Sequence, residues 1–322
     1  MPRPDSKFRA YLELLRLPNV FTAIADVMMG YWFALALTGV NDEISSDTKW
    51  GSLILLLISS SCFYLAGMVL NDYFDRNKDL QERPARPIPS RRVPESTALW
   101  LGTQLLGLGI LLAAILTFIS QTPSTLLIAL ALASAVVAYD SAFKKNWLGP
   151  IGMGACRALN VLMGMSIVGG TTAIFSASHL LIICGIGIYI IGLTWFARTE
   201  AERSNRLFLS ISMLVMGLGL GCLYSFPQSI PVDKTLITMN TMNIGIWFAF
   251  WLLVALQIIY RCGKAVWEPN PTNVQVGVKF CLLTLIVLDA AIVFAVQGQE
   301  KALLLLALLI PTIFLGKFIY ST

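Results

Sequence analysis

Apolar residues in this chain arrive in long unbroken runs separated by short polar segments. The runs cover 19–38, 51–70, 98–119, 123–139, 148–168, 179–197, 207–226, 240–260, 275–296 and 301–320. Each comes close to the roughly 20 residues that a helix needs to cross a bilayer. They are continuous, not alternating, so a β-barrel is excluded. The pattern predicts an all-α, multi-pass membrane bundle of about nine to ten transmembrane helices. Ahead of the first run, Phe8, Tyr11, Leu12 and Leu15 share one helical face, with Lys7, Arg9, Glu13 and Arg16 around the rest. Residues 1–18 are therefore expected to form an amphipathic helix in the membrane interface, and residues 19–322 the transmembrane domain. A polar segment precedes the first run, so no cleavable signal peptide is expected.

Composition sharpens this picture. Hydrophobic residues make up 57% of the 322 residues and charged residues 13%, against about 25% charged in a soluble domain. A mean hydropathy of +0.74 leaves no room for a large soluble domain. The net charge of +5 is no argument for nucleic acid, because the basic residues are sorted by membrane side. With the N-terminus placed in the cytoplasm, nineteen Lys and Arg fall on the inside, and only Lys49, Lys234 and Lys301 on the outside. Arg157 lies within a span. This asymmetry puts both termini and the loops 71–97, 140–147 and 198–206 on the cytoplasmic face of the cell membrane. The six cysteines form no CxxC pair and read as small buried hydrophobes. With His179 the single histidine, any metal must be held by oxygen ligands, which points to magnesium or calcium.

The second span runs directly into Asn71-Asp72-Tyr73-Phe74-Asp75-Arg76-Asn77-Lys78-Asp79. If the helix continues, Asp72, Asp75 and Asp79 lie at i, i+3 and i+7, and Asn71 shares their face. Three carboxylates on one face repel unless a cation joins them. Hard oxygen donors at a membrane helix end suit Mg²⁺, which keeps waters and shares its other positions with substrate phosphates. A solvated charged loop is the plainer reading. The direct junction with the span and the helical spacing favour the metal. The chain continues Glu82-Arg83-Pro84-Ala85-Arg86-Pro87-Ile88-Pro89-Ser90-Arg91-Arg92. Its prolines prevent helix, and its arginines suit either an anion clamp or simple positive-inside charge.

These residues resemble the UbiA superfamily of intramembrane prenyltransferases. Asn71, Asp72, Asp75 and Asp79 match every fixed position of that family's N-D-x-x-D-x-x-x-D motif. Arg86 to Arg92 is similar to the R-P-x-P-S-G-R stretch that follows it, with Arg91 where glycine is common. Tyr139 with Lys144 or Lys145 is similar to the family's tyrosine and lysine after the fourth span. The likeness covers roughly residues 10 to 300. One departure stands out. The family's second motif, D-x-x-x-D, follows the sixth span, where this chain reads Ala197-Arg198-Thr199-Glu200-Ala201-Glu202-Arg203-Ser204. Glu200 stands for the first acid and Ser204 takes the place of the second. That run also looks like the EboC-type branch of UbiA-like proteins, which is associated with cyclitol-type enzymes.

The resemblance implies transfer of a prenyl group from a prenyl diphosphate to a small-molecule acceptor, aromatic, cyclitol or lipid. It implies Mg²⁺ held by Asp72, Asp75 and Asp79, with Glu200 offered to a second ion. Asp72, Asp75, Lys144 and Glu200 are then the catalytic candidates. Asn71, Arg86, Tyr139, Lys144, Arg157, Asn160 and Arg198 are the candidates for binding the diphosphate. An apolar cavity between helices would shelter the allylic cation, and the prenyl tail would lie among the spans. Inside the membrane, Arg157 either meets diphosphate or pairs with a carboxylate, and Asn160 shares its face. Asp26 and Asp289 are expected to be structural partners. Tyr139 doubles as an interfacial anchor, and Trp32, Trp50, Trp100, Trp147 and Trp267 read as an aromatic belt. A CDP-alcohol phosphatidyltransferase is disfavoured, because its D-G-x-x-A-R signature is missing. A non-catalytic or transport-related relative is the remaining alternative, favoured by the altered second motif.

Overall fold

A computed structural model describes residues 7–38, 46–167, 176–198, 203–230 and 243–318. All its regular structure is helical. The elements are α1 (Lys7–Leu15), α2 (Val20–Thr38), α3 (Ser46–Glu82), α4 (Glu95–Ser120), α5 (Ser124–Ser141) and α6 (Gly149–Met165). They continue as α7 (Ala177–Ala197), α8 (Arg206–Ser225), α9 (Ile244–Trp267), α10 (Pro271–Gln297), α11 (Gln299–Ala307) and α12 (Leu309–Phe318). Helices are what such a sequence must form in lipid, where each backbone N–H and C=O needs a partner within its own segment. Local signals set the ends. The Asn205, Asn243 and Asn270 side chains accept from backbone N–H groups of the first turns of α8, α9 and α10, and Pro271 opens α10.

Among the described residues, nine helical stretches are long and apolar enough to cross a membrane. The fifth expected span, 148–168, is not among them: it is helix α6, only 17 residues long and interrupted by Arg157. The last expected span, 301–320, is broken into α11 and α12. Helix α3 shows why the motif is where it is. At 37 residues it is the longest element, about 55 Å at 1.5 Å per residue. The hydrocarbon layer is about 30 Å thick. The apolar span and the acidic motif are therefore one continuous helix, whose last turns leave the apolar layer.

Helix α2 is the axis of the bundle, buried over nearly all its length and packed by α3, α6 and α10. Around it, α3 packs on α4, α4 on α5, α5 on α6, α6 on α7, α7 on α8, α8 on α9 and α9 on α10. The crossing of α2 and α6 depends on two glycines. A Cβ at Gly30 would collide with the Val161 carbonyl oxygen, and one at Gly164 with that of Val27. Small residues allow the backbones this approach.

Helix α1 buries Ala10 and Leu14 against Val69 of α3, Ala98 of α4, and Ile88 and Val93 of the intervening loop. It is tied to that loop by Glu13 and Arg92 at 2.8 Å. The two ends of the bundle differ in character. Lys301 lies over the rings of Trp32 and Trp50, next to Lys49, so two of the cations expected outside share one end, and Lys234 lies outside the described residues. The arginines of the 71–92 segment gather at the other. One correction concerns the aromatic belt: Trp100, Trp147 and Trp267 are exposed as expected, but Trp32 is buried inside the bundle.

Candidate active site

The last turns of α3 carry the acidic motif, and each acid has a named cation. Lys144 Nζ reaches Asp75 Oδ2 at 2.9 Å. It also donates to Asn71 Oδ1 at 2.6 Å and to the Asn71 carbonyl at 3.1 Å. Arg86 Nη1 lies 2.7 Å from Asp79 Oδ2 and 3.3 Å from Asp72 Oδ1. Arg16 Nη2 donates to Asp72 Oδ1 at 2.8 Å. Asp72 and Asp79 are thus bridged by one guanidinium across two helical turns, and Asp75 turns aside to Lys144. Among the described residues no group of three or more His, Cys, Asp or Glu side chains converges as a ready-made metal centre.

The loop after α3 is built to hold Arg86 in place. The backbone carbonyl of Arg86 accepts from both Ser90 N–H and Ser90 Oγ, and Arg92 donates to the Ala85 carbonyl at 2.7 Å. Arg91 sits at φ 59°, in the left-handed region that favours glycine, the residue common at that point of the resembled motif. Arg16 is also left-handed, at φ 45°. It ends α1, and the turn Leu17-Pro18-Asn19 then redirects the chain into α2. That bend aims the guanidinium inward at Asp72.

Below these charges a cavity of about 390 Å³ runs into the bundle. Arg16, Asn71, Arg83 and Arg86 stand at its charged end, and Phe63, Leu132, Val136, Ile190 and Leu193 are among its apolar walls. Tyr139, Asp140, Arg157 and Asn160 also line it. Arg157 pairs with a carboxylate, the second of the two alternatives, while lining the cavity: its two terminal nitrogens are held by Asp26 Oδ2 at 2.7 Å and Thr22 Oγ1 at 2.6 Å. Asn160 donates to the Ala23 carbonyl at 2.9 Å and accepts from Ser60 Oγ at 2.7 Å. Asp289 is wholly buried against Asp26, the two carboxyl groups within hydrogen-bond reach of each other, and no other described residue bonds its oxygens.

The structure therefore brings together Asn71, Asp72, Asp75, Asp79, Arg86 and Lys144 at the mouth, and Tyr139, Arg157 and Asn160 on the wall. Arg198 is exposed at the end of α7 and is not part of the wall. Glu200 lies outside the described residues. Two further residues of the site are not singled out by the sequence. Arg16 reads there as a charge on the polar side of the interfacial helix, although Pro18 marks the turn that aims it. Asp140 stands at a span end, where acids are ordinary.

The UbiA prenyltransferase family matches residues 27–271. A digeranylgeranylglyceryl phosphate synthase of Methanosarcina barkeri is 32% identical over 169 residues, 51% of this chain and 57% of that protein. Another, of Sulfurisphaera tokodaii, is 31% identical over 159 residues, 48% and 51% of the two chains. A protoheme IX farnesyltransferase 2 of Bacillus velezensis is 29% identical over 112 residues, 34% and 35%. The matched regions span between a third and somewhat over half the length of these relatives. Among solved structures, a UbiA homolog from Archaeoglobus fulgidus bound to GPP and Mg²⁺ superposes with a TM-score of 0.65 at 14% identity, over 92% of this chain and 99% of that one. A structure of digeranylgeranylglyceryl phosphate synthase superposes at 0.63 with 20% identity, over 91% and 99%. At such identities the likeness is one of fold.

Proposed function

The chain belongs to the UbiA prenyltransferase family, and from that premise we propose that it transfers a prenyl group from a prenyl diphosphate to a small-molecule acceptor within the membrane. The observation that carries this reading is the change of character along one cavity. Arg16, Asn71, Arg83 and Arg86 stand at its mouth, with Asp72 and Asp79 of α3 ion-paired to Arg16 and Arg86, and its depth is walled by Phe63, Leu132, Val136 and Ile190. A diphosphate on an isoprenoid tail has that same division.

The donors suit Mg²⁺. They are all hard oxygens, and they do not converge on one point, which fits an ion that keeps waters and completes its shell with substrate phosphate oxygens. Asp72, Asp75 and Asp79 would hold it, and Glu200 is the candidate for a second ion. When bound, the ion neutralises charge that develops on the leaving diphosphate. The protein's own part follows from the ion pairs. Arg86 and Arg16 stand beside the acids and the cavity mouth, so phosphate oxygens entering there meet guanidinium groups suited to bidentate contact. Lys144 adds an ammonium beside Asn71. Tyr139 and the apolar wall keep water from the allylic carbon as the C–O bond breaks.

The test is diphosphate release by the protein in lipid nanodiscs given farnesyl or geranylgeranyl diphosphate, with and without Mg²⁺. Mg²⁺-dependent release supports the enzyme. Failure of either diphosphate to bind would favour the non-catalytic alternative, for which the altered second motif argues.

The protein is a multi-pass membrane protein, and the nineteen-to-three charge asymmetry supports a cytoplasmic active site. Single cysteines placed at 80 and 145, in a background lacking the native ones, should react with a membrane-impermeant maleimide only after the cytoplasmic side is opened. A cysteine at 49 should react without opening. Labelling of 80 and 145 from opposite sides would rule out a shared site.

A further inference from the structure

We propose that Asp140 is the acceptor-side residue of this cavity, accepting a hydrogen bond from a neutral hydroxyl nucleophile and taking its proton as the prenyl group is transferred. This rests on the prenyltransferase reading and deepens it by assigning the class of acceptor. Asp140 is 2% exposed and lines the cavity, yet its Oδ2 has no hydrogen-bond partner among the described residues. A buried carboxylate oxygen without a donor is costly, and a donor carried by the substrate would recover that cost.

The position of the carboxylate separates it from the metal motif. A Cβ built at Gly67 of α3 would lie 4.0 Å from Asp140 Oδ2, so that oxygen rests against α3 where the helix lacks a side chain. Gly67 is one turn below Asn71, about 6 Å along the axis, and about 12 Å below Asp75 at 1.5 Å per residue. Lys144, a turn beyond Asp140, reaches up to Asn71 and Asp75. Asp140 therefore sits lower in the cavity than the backbone of Asp75, although the Asp75 and Asp72 charges still reach it. It stands below the level where a diphosphate would be gripped, which is where the first carbon of the prenyl chain must hang.

The charges nearby argue for a neutral acceptor. Of the four cations on the cavity wall, Arg157 is paired with Asp26 in the depth, and Arg16, Arg83 and Arg86 stand at the charged end given to the diphosphate. An anionic acceptor would face Asp140 with no further cation on that wall, whereas a hydroxyl supplies the missing donor. In the reaction, a lone pair of the acceptor oxygen forms the new C–O bond. The bond between the prenyl carbon and the diphosphate oxygen breaks, and its electron pair leaves with diphosphate. The acceptor's hydroxyl proton passes to Asp140 Oδ2.

The test uses the full chain in nanodiscs with geranylgeranyl diphosphate, Mg²⁺ and two probes that differ in charge, 1-O-hexadecylglycerol and its 3-phosphate. The wild-type protein should prenylate the neutral probe at least tenfold faster. Asp140→Asn, of the same shape, should lower kcat for that probe about a hundredfold, the range for loss of a general base. Its KM for geranylgeranyl diphosphate should stay within twofold. Preference for the phosphate, transfer to neither probe while the diphosphate binds, or a wild-type kcat in Asp140→Asn would each overturn the proposal. The preference between probes is read on the wild-type protein, so it decides even if the variant misfolds. Failure of the wild-type protein to bind geranylgeranyl diphosphate would instead overturn the prenyltransferase reading beneath it.

Discussion

Asp75→Ala is expected to cut Mg²⁺-dependent diphosphate release from geranylgeranyl diphosphate by at least about a hundredfold while leaving a folded protein. Losing one preorganised group that stabilises developing charge costs about 10²–10³ in rate. Asp75 also holds Lys144, whose ammonium would lose its lateral tether and keep only Asn71. The side chain of Asp75 is 20% exposed near the end of a long helix. Its removal opens no core, so the melting temperature should barely move. Asp72 is different, although the two acids are equivalent in the motif. Its carboxylate is nearly buried and held by both Arg16 and Arg86. Asp72→Ala should abolish activity and also destabilise, because two guanidinium groups lose a shared partner. Release rates, Mg²⁺ titrations and melting curves of the two variants in detergent check both halves. A wild-type rate in well-folded Asp75→Ala protein would remove the leaving-group mechanism.

The helical membrane architecture was legible because continuous apolar runs are strong, local signals. The acidic motif was legible for the same reason: Asn71, Asp72, Asp75 and Asp79 share one helix, and helical spacing alone puts them on one side. What periodicity could not supply was the partners. Arg16 meets Asp72 across 56 residues, and Arg157 meets Asp26 across 131. Such pairs depend on how α1 bends into α2 and how α2 crosses α6, and no short window encodes those angles. The acids also turned out to be divided between Arg86 and Lys144, where spacing suggested a common point. Asp140 escaped notice because its meaning comes from Gly67 on another helix. Helix α6 was read as an ordinary span, and its 17 residues with a buried arginine instead form part of the cavity wall.

That arginine carries the second large effect. Arg157→Ala should destabilise the protein by about 3–5 kcal/mol, the cost of breaking a buried pair from one side. Asp26 is wholly buried, and Asp289 lies against it, equally buried and with no partner but Asp26 among the described residues. Removing the guanidinium leaves two carboxyl groups in the middle of the bundle with no cation between them, and Thr22 Oγ1 loses its donor. The unfolded reference in a membrane is also poor in water, so desolvation is partly shared by both states. The figure is therefore an upper range, and the ranking of variants is the sharper expectation. Arg157→Lys keeps the charge but loses the two-pronged reach to Asp26 and Thr22. It should melt between the alanine variant and the wild type. Asp26→Ala should cost less than Arg157→Ala, because the neighbouring Asp289 carboxylate remains to answer the guanidinium, and the double replacement of Asp26 and Asp289 by alanine should cost more than the single one. Thermal melting of the purified variants in one detergent gives the order. Equal melting of Arg157→Ala and wild type would show that the pair contributes no stability, and would leave diphosphate binding as the reason for an arginine at this depth.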